Sequence, residues 1–247
     1  MMSFTAPRID VHELMIELEA MSSEEKAEAL ADLNGGQNLD KESQELVQSS
    51  IESLKAFLDA ECEHNDALFE ARERIPEVAN SEEFYLIFLR AVSFDTKEAS
   101  KRILNYWKCK VALFGSEIAF RPNGKIYLSD LDDADLACLD AEGLFSLPKD
   151  SFGRGVIFSR RQNWMYRENK NILKLSWYLA QTLLEDESVQ KHGVVMILYN
   201  VGTFSISDHF NRKDMNLLLQ TLLHALPLRV VGAHISYTSK VYKIVLP

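Results

Sequence analysis

The sequence contains no run of 18 or more apolar residues, so no segment has the length and hydrophobicity of a membrane-spanning helix. Cysteine is scarce. Cys62, Cys109 and Cys138 are odd in number, widely spaced and without a C-x-x-C pair, which argues against a disulfide framework and fits reduced thiols in a cytoplasmic protein. The acidic N-terminus lacks the apolar stretch of a secretion signal. No internal repeat or low-complexity tract is present, and no G-x-S-x-G elbow, P-loop or H-E-x-x-H occurs. Ser207-Asp208-His209 brings together the residue types of a catalytic triad, but triads assemble from separated segments, and Asp208 reads more simply as a helix N-cap. His209, His224 and His234 lack metal-ligand spacing. Asp130-x-Asp132-x-x-Asp135 lacks the glycine and terminal glutamate of a calcium loop, so helix capping is the plainer reading. The expectation is a protein that is not an enzyme, with no cofactor and no metal.

What is present is ample apolar material: 247 residues at 47% hydrophobic composition can bury a full core. The net charge of −10 is unevenly spread. Residues 1–80 carry 19 Asp and Glu against 6 Lys and Arg, and the remainder 18 against 21. Such an acidic arm is repelled by nucleic acid, so no nucleic-acid partner is expected. A solvated helical face is its plain reading; a docking arm for a protein partner through residues 1–80 is the functional one.

The first third reads as helix. Asn34-Gly35-Gly36 is a stop, and a long helix is predicted from about Asp40 to Arg74, with Pro76 closing it. A short amphipathic segment covers 82–92. Asp95-Thr96-Lys97-Glu98 has capping-box spacing and opens a helix to about Phe114, ended by Gly115. Ile126-Tyr127-Leu128 reads as a short extended run, and Asp132 to Glu142 as a small capped helix. Asp150 to Gly155 is turn chemistry before a strand at 156–160. A helix from about Glu168 to Glu187, a strand at 194–201, an apolar helix at 215–226 and a strand at 230–235 complete the pattern. That order predicts an α/β fold: a helical N-terminal region, then a mainly parallel β-sheet flanked by helices.

Three segments together resemble one family. Phe88-Leu89-Arg90-Ala91-x-x-Phe94-Asp95, with Ala99 and Tyr106 in the helix that follows, is similar to the helical N-terminal part of CRAL-TRIO proteins. Asp150-x-x-Gly153-Arg154 resembles the turn before the first core strand of their lipid-binding part. Leu226-Pro227-Leu228-Arg229-x-x-Gly232-x-His234 resembles the element after their gate helix. The resemblance covers roughly residues 82–247. It implies an acidic helical extension at 1–80, the helical subdomain at 81–120 and a lipid-binding domain at 121–247. Asn200 stands where many members have Asp, and Ala233 where inositol-lipid transfer members have Lys. The family usually continues beyond the position of Pro247, so a missing C-terminal helix and strand are expected. By resemblance, the chain is a carrier of a hydrophobic small molecule or phospholipid, held on the sheet under a movable helix, cytoplasmic and in transient contact with membranes. The alternative on the same fold is a non-catalytic protein-interaction module.

The residues that would build such a pocket follow. Phe158, Ile197, Tyr199, Val201, Val231 and Ile235 are wall candidates on the strands, although both faces of a covered sheet are apolar and the sequence does not choose between them. Phe210, Met215, Leu218, Leu219 and Leu222 are candidates for the helix roof, with Leu223. Each is equally readable as plain core. Burying an acyl chain yields about 0.8 kcal/mol per methylene, so little polar contact is needed. Arg212, Lys213 and Arg229 flank the roof as candidate headgroup or membrane contacts. Arg160, Arg161, Arg167, Lys170 and Lys174 form a second basic group, readable as a site for a phosphate headgroup or an acidic partner and more plainly as a solvated loop and helix start. Trp107, Trp164 and Trp177 read as core.

Overall fold

Helices come first and the sheet afterwards. The computed structural model describes residues 21–23, 42–62, 64–160, 169–201, 221 and 224–237. The first helix, α1 (Gln44–Cys62), buries Ile51, Leu54 and Leu58, three positions on one stripe of a 3.6-residue repeat. The single long helix predicted to Arg74 is two. Asn65 starts α2 (Asp66–Arg74), its side chain accepting a hydrogen bond from the Leu68 amide at 2.9 Å. An asparagine in that role satisfies an otherwise orphaned amide and outcompetes continuation of the helix. α2 ends at Arg74 as expected, with Ile75 non-helical ahead of Pro76, and Pro76 itself opens α3 (Pro76–Ala79) at the first position, where its missing N–H leaves no bond unmade.

Ser81 caps α4 (Glu82–Ala91), accepting from the Phe84 amide at 3.1 Å. Ser93 and Phe94 then take positive φ, and Asp95 caps α5 (Thr96–Phe114) by accepting from the Glu98 amide at 2.9 Å. Gly115 ends α5 at φ 76°, before α6 (Ser116–Ala119). All these helices share one core, with Leu54, Phe88, Leu89, Ile103 and Trp107 inside it. The helices before residue 80 and those after it contribute to it alike.

The run at 126–128 is not a strand; Leu128–Asp130 is one 3₁₀ turn. Its neighbour Ile126 is nevertheless paired as a strand residue would be. The Ile126 amide donates to Gln181 Oε1 at 2.8 Å, and Gln181 Nε2 donates to the Ile126 carbonyl at 2.9 Å. Asp132 caps α7 (Asp133–Asp140) as the spacing predicts, and Asp135 reaches back to the Asp132 amide at 2.9 Å.

The sheet follows. Its strands are β1 (Leu144–Leu147), β2 (Gly155–Arg160), β3 (Val194–Asn200) and β4 (Val230–Tyr237), in the spatial order of the chain. β2, β3 and β4 are parallel; β1, unforeseen in the sequence, pairs antiparallel with β2. Between β2 and β3 lie α8 (Asn169–Leu183) and α9 (Glu187–His192). The helix predicted to reach Glu187 stops earlier because Asp186 starts α9, accepting from the Ser188 amide at 2.9 Å. The architecture is mixed α/β. Among the described residues, no helix is long and apolar enough to cross a membrane.

Tyr106 and Arg90 are two of the residues that join the helical region to the sheet region. Tyr106 packs against both cores. Arg90, only 4% exposed, binds Glu42 ahead of α1, and reaches Glu187 at 3.0 Å and Gln190 at 2.6 Å on α9.

Candidate functional site

Strand register divides the sheet into two unlike faces, because alternate residues point to opposite sides. One face carries Leu144, Ile157 and Val194. All three are buried, in one cluster with Ile172, Leu175 and Leu179 of α8. The other carries Phe145, Phe158, Ile197 and Tyr199, which the register aligns: Phe145 pairs with Phe158, and Phe158 with Ile197. None of these four is fully buried. Their rings form a row across three strands. Phe145 and Phe158 centroids lie 5.1 Å apart, and Phe158 stacks on Tyr199 at 6.1 Å. Arg160, two residues beyond Phe158 on the same face, holds its guanidinium 5.9 Å from the Phe158 ring centre. Val156 and Val195 form the buried floor at the other end of the row.

The structure thus brings together three of the six strand candidates, Phe158, Ile197 and Tyr199. Ile235 pairs with Leu198 and so belongs to the opposite face. Val231 is the extra residue of an irregularity, since Val194 pairs with Val230 but Val195 with Gly232. Val201 follows β3 and is half-buried. The roof candidates Phe210, Met215, Leu218, Leu219 and Leu222, with Arg212 and Lys213, lie outside the described residues. Phe145 was missed. Its strand is four residues long between Gly143 and Pro148, and the alternation Leu-Phe-Ser-Leu is the signal that marks it.

The basic residues sort differently from the sequence reading. Arg229 is half-buried and donates to the Lys191 carbonyl near the end of α9; burial pushes its pKa down. Lys174 is not a solvated cation at a helix start. It is buried, with Nζ 2.7 Å from Asp135 and 3.1 Å from Asp132. Helix periodicity turns it inward onto the capping carboxylates of α7, and Asn171, one turn earlier, donates to Asp135 at 2.6 Å. Arg161 and Arg167 lie outside the described residues.

A second space, separate from this face, opens between the helical region and the sheet region. It is a cleft of about 280 Å³ among α4, α5, α8 and the Leu226-Pro227 turn. Phe84, Ile87, Tyr106, Trp177 and Leu184 make its walls.

No family model matches the chain, and no curated protein matches it significantly. Each of the three motifs quoted above has a local structural task here. Phe88 and Leu89 fill the helical core, Arg90 fastens that core to α9, and Asp95 caps α5. Asp150 accepts hydrogen bonds from the amides of Phe152 and Arg154 and from Arg154 Nε, which folds the turn into β2. Gly153 sits at φ 76°, where a Cβ would stand 2.3 Å from Ser188 Oγ. The Leu226 and Leu228 carbonyls accept from Arg102, at 3.4 and 3.3 Å.

Chemically, the aromatic face offers apolar contact along its length and a cation at one end. Among the described residues, no group of three or more His, Cys, Asp or Glu is placed to hold a metal ion.

Proposed function

We propose that the chain binds a hydrophobic small molecule or phospholipid on the aromatic face of the sheet and carries or presents it at membranes, as the CRAL-TRIO resemblance implies. The observation that supports this reading is the asymmetry of the sheet. On one face α8 covers Leu144, Ile157 and Val194, while the other presents the half-buried row Phe145–Phe158–Tyr199 with Ile197 beside it. The driving force would be removal of an acyl chain or ring system from water, at about 25 cal/mol per Å² of apolar surface. Arg160 at the end of the row suits an amphiphile with an anionic head, which gives the guest one orientation. The apolar run at 215–226, read from the sequence as a helix, would cover the guest.

The test is native mass spectrometry with lipid extraction of protein purified from a lipid-rich host. A lipid at near-unit stoichiometry is expected in the wild type. Ile197→Asp sets a carboxylate among the rings and should empty the protein, whereas Phe57→Asp, at an exposed site on α1, should leave loading unchanged. Wild-type protein recovered empty, with a stable protein partner in pull-downs, would replace the carrier by an interaction module.

A further inference from the structure

We propose that the cleft between the helical region and α8 is a second binding site, taking one neutral, planar aromatic molecule of one or two rings. The reading is independent of the sheet-face site, because α8 stands between the two. Ile172, Leu175 and Leu179 of that helix join the cluster with Leu144, Ile157 and Val194 on one face of the sheet, while Trp177, Gln181 and Leu184 line the cleft.

Size sets the first limit. A space of about 280 Å³ exceeds the ~150 Å³ that an apolar cavity needs to hold benzene, and falls just below the 300–1,000 Å³ of sites for drug-sized ligands. Shape sets the second. The walls are largely aromatic: Phe84 lies 4.9 Å from Phe88 and 5.6 Å from Tyr106, and Tyr106 lies 4.8 Å from Trp177, ring centre to ring centre. Flat rings packed in this way accept another flat ring by stacking or edge contact.

Charge sets the third. The polar side chains around the cleft are already engaged with the protein. Gln181 spends both its amide oxygen and its nitrogen on the Ile126 backbone. Gln190 accepts from Arg90 at 2.6 Å and donates to the Leu184 carbonyl at 2.8 Å. Lys125 and Glu185 neutralise each other at 2.7 Å, both partly exposed. Among the described residues, a charged guest would find no counter-ion without breaking one of these pairs, so the site favours an uncharged one. The Tyr106 hydroxyl, whose pKa is pushed up by burial, stays protonated and neutral beside it.

The probe is 2-naphthol at pH 7, titrated into the full chain and followed by methyl NMR. Saturable shifts are expected at Ile87, Leu184 and Leu226, with Val195 and Ile197 on the sheet unmoved. Leu184→Trp fills the cleft from just past the end of α8 and Ile87→Phe from α4; each should weaken binding about tenfold or more. If Leu184→Trp fails to fold, Ile87→Phe carries the test alone. Shifts centred on Ile197, shifts that rise without saturating, or wild-type affinity in a folded filling variant would each overturn the proposal. Because the sheet and the cleft have separate reporters, an empty sheet face leaves this result readable.

Discussion

Among the described residues, the helical region and the sheet region each bury one lysine, and they treat it in opposite ways. Lys174 on α8 meets two carboxylates, and Asn171 fixes the buried one of them. Burial alone would lower its pKa, but the hydrogen bonds it donates to Asp135 and Asp132 outweigh that and raise it. Lys110 on α5 is wholly buried and has one hydrogen bond, to the Gly124 carbonyl at 2.6 Å. The rings of Tyr106 and Trp107 lie 5.5 and 5.1 Å from its Nζ. Burial, with Arg121 nearby, lowers its pKa to about 7. One lysine is therefore a charge held by charges, and the other is a charge the fold works to discharge.

The largest effect should come from breaking the paired site. Lys174→Met leaves the Asp135 carboxylate buried without its cation, which typically costs about 3–5 kcal/mol. Urea denaturation at pH 7 measures it. Adding Asp135→Asn to that variant should recover part of the loss, because no buried charge then remains. A single variant as stable as wild type would show that Asp135 does not depend on Lys174.

The unpaired site should show itself through pH. Lys110 has a folded pKa of about 7, well below the ordinary lysine value of roughly 10.4 in an unfolded chain. Between those values the unfolded state binds more protons, so wild-type stability rises with pH, by up to about 1.4 kcal/mol per unit. Below pH 7 lysine is charged in both states and the slope vanishes. Lys174, with its pKa raised, has the reverse sign: its contribution is complete below the unfolded value and fades only as pH climbs through the folded one. Lys110→Met should lose the rise between pH 7 and 10. Parallel stability curves for wild type and variant over pH 6–10 would remove Lys110 from the comparison.

Neither lysine's role was legible in the sequence, and the reason is range. Asp95 and Asp132 were readable as caps because the amides they serve lie within three residues. Lys174 meets Asp135 across 39 positions, and only the docking of α8 on α7 reveals the pair. The same limit applies to the sheet. Its parallel strands and helical connection followed from the order of apolar runs, but which face α8 covers depends on register. That register puts Phe158, Ile197 and Tyr199 together and sends Ile235 to the other side. The break at Asn65 was local and could have been found. The apolar stripe simply continues through it, at Leu58, Cys62 and Leu68, and periodicity cannot see a change of helix axis.

The smallest effect tests how the paired site is tuned. Asn171 donates to Asp135 Oδ1, while Lys174 and the Asp132 amide occupy Oδ2. Asn171→Leu keeps the side chain's approximate size and removes a single hydrogen bond to a carboxylate, a loss of about 1.5 kcal/mol. The change should act through the Asp135 carboxylate, so the cost should shrink in an Asp135→Asn background, where the acceptor carries no charge. Lys110 has no side chain in the corresponding role, since its acceptor is a backbone carbonyl that no substitution deletes. Urea curves at pH 7 for Asn171→Leu, alone and combined with Asp135→Asn, measure the difference, and an equal cost in both backgrounds would mean that Asn171 supports α8 by packing and not through the Asp135 charge.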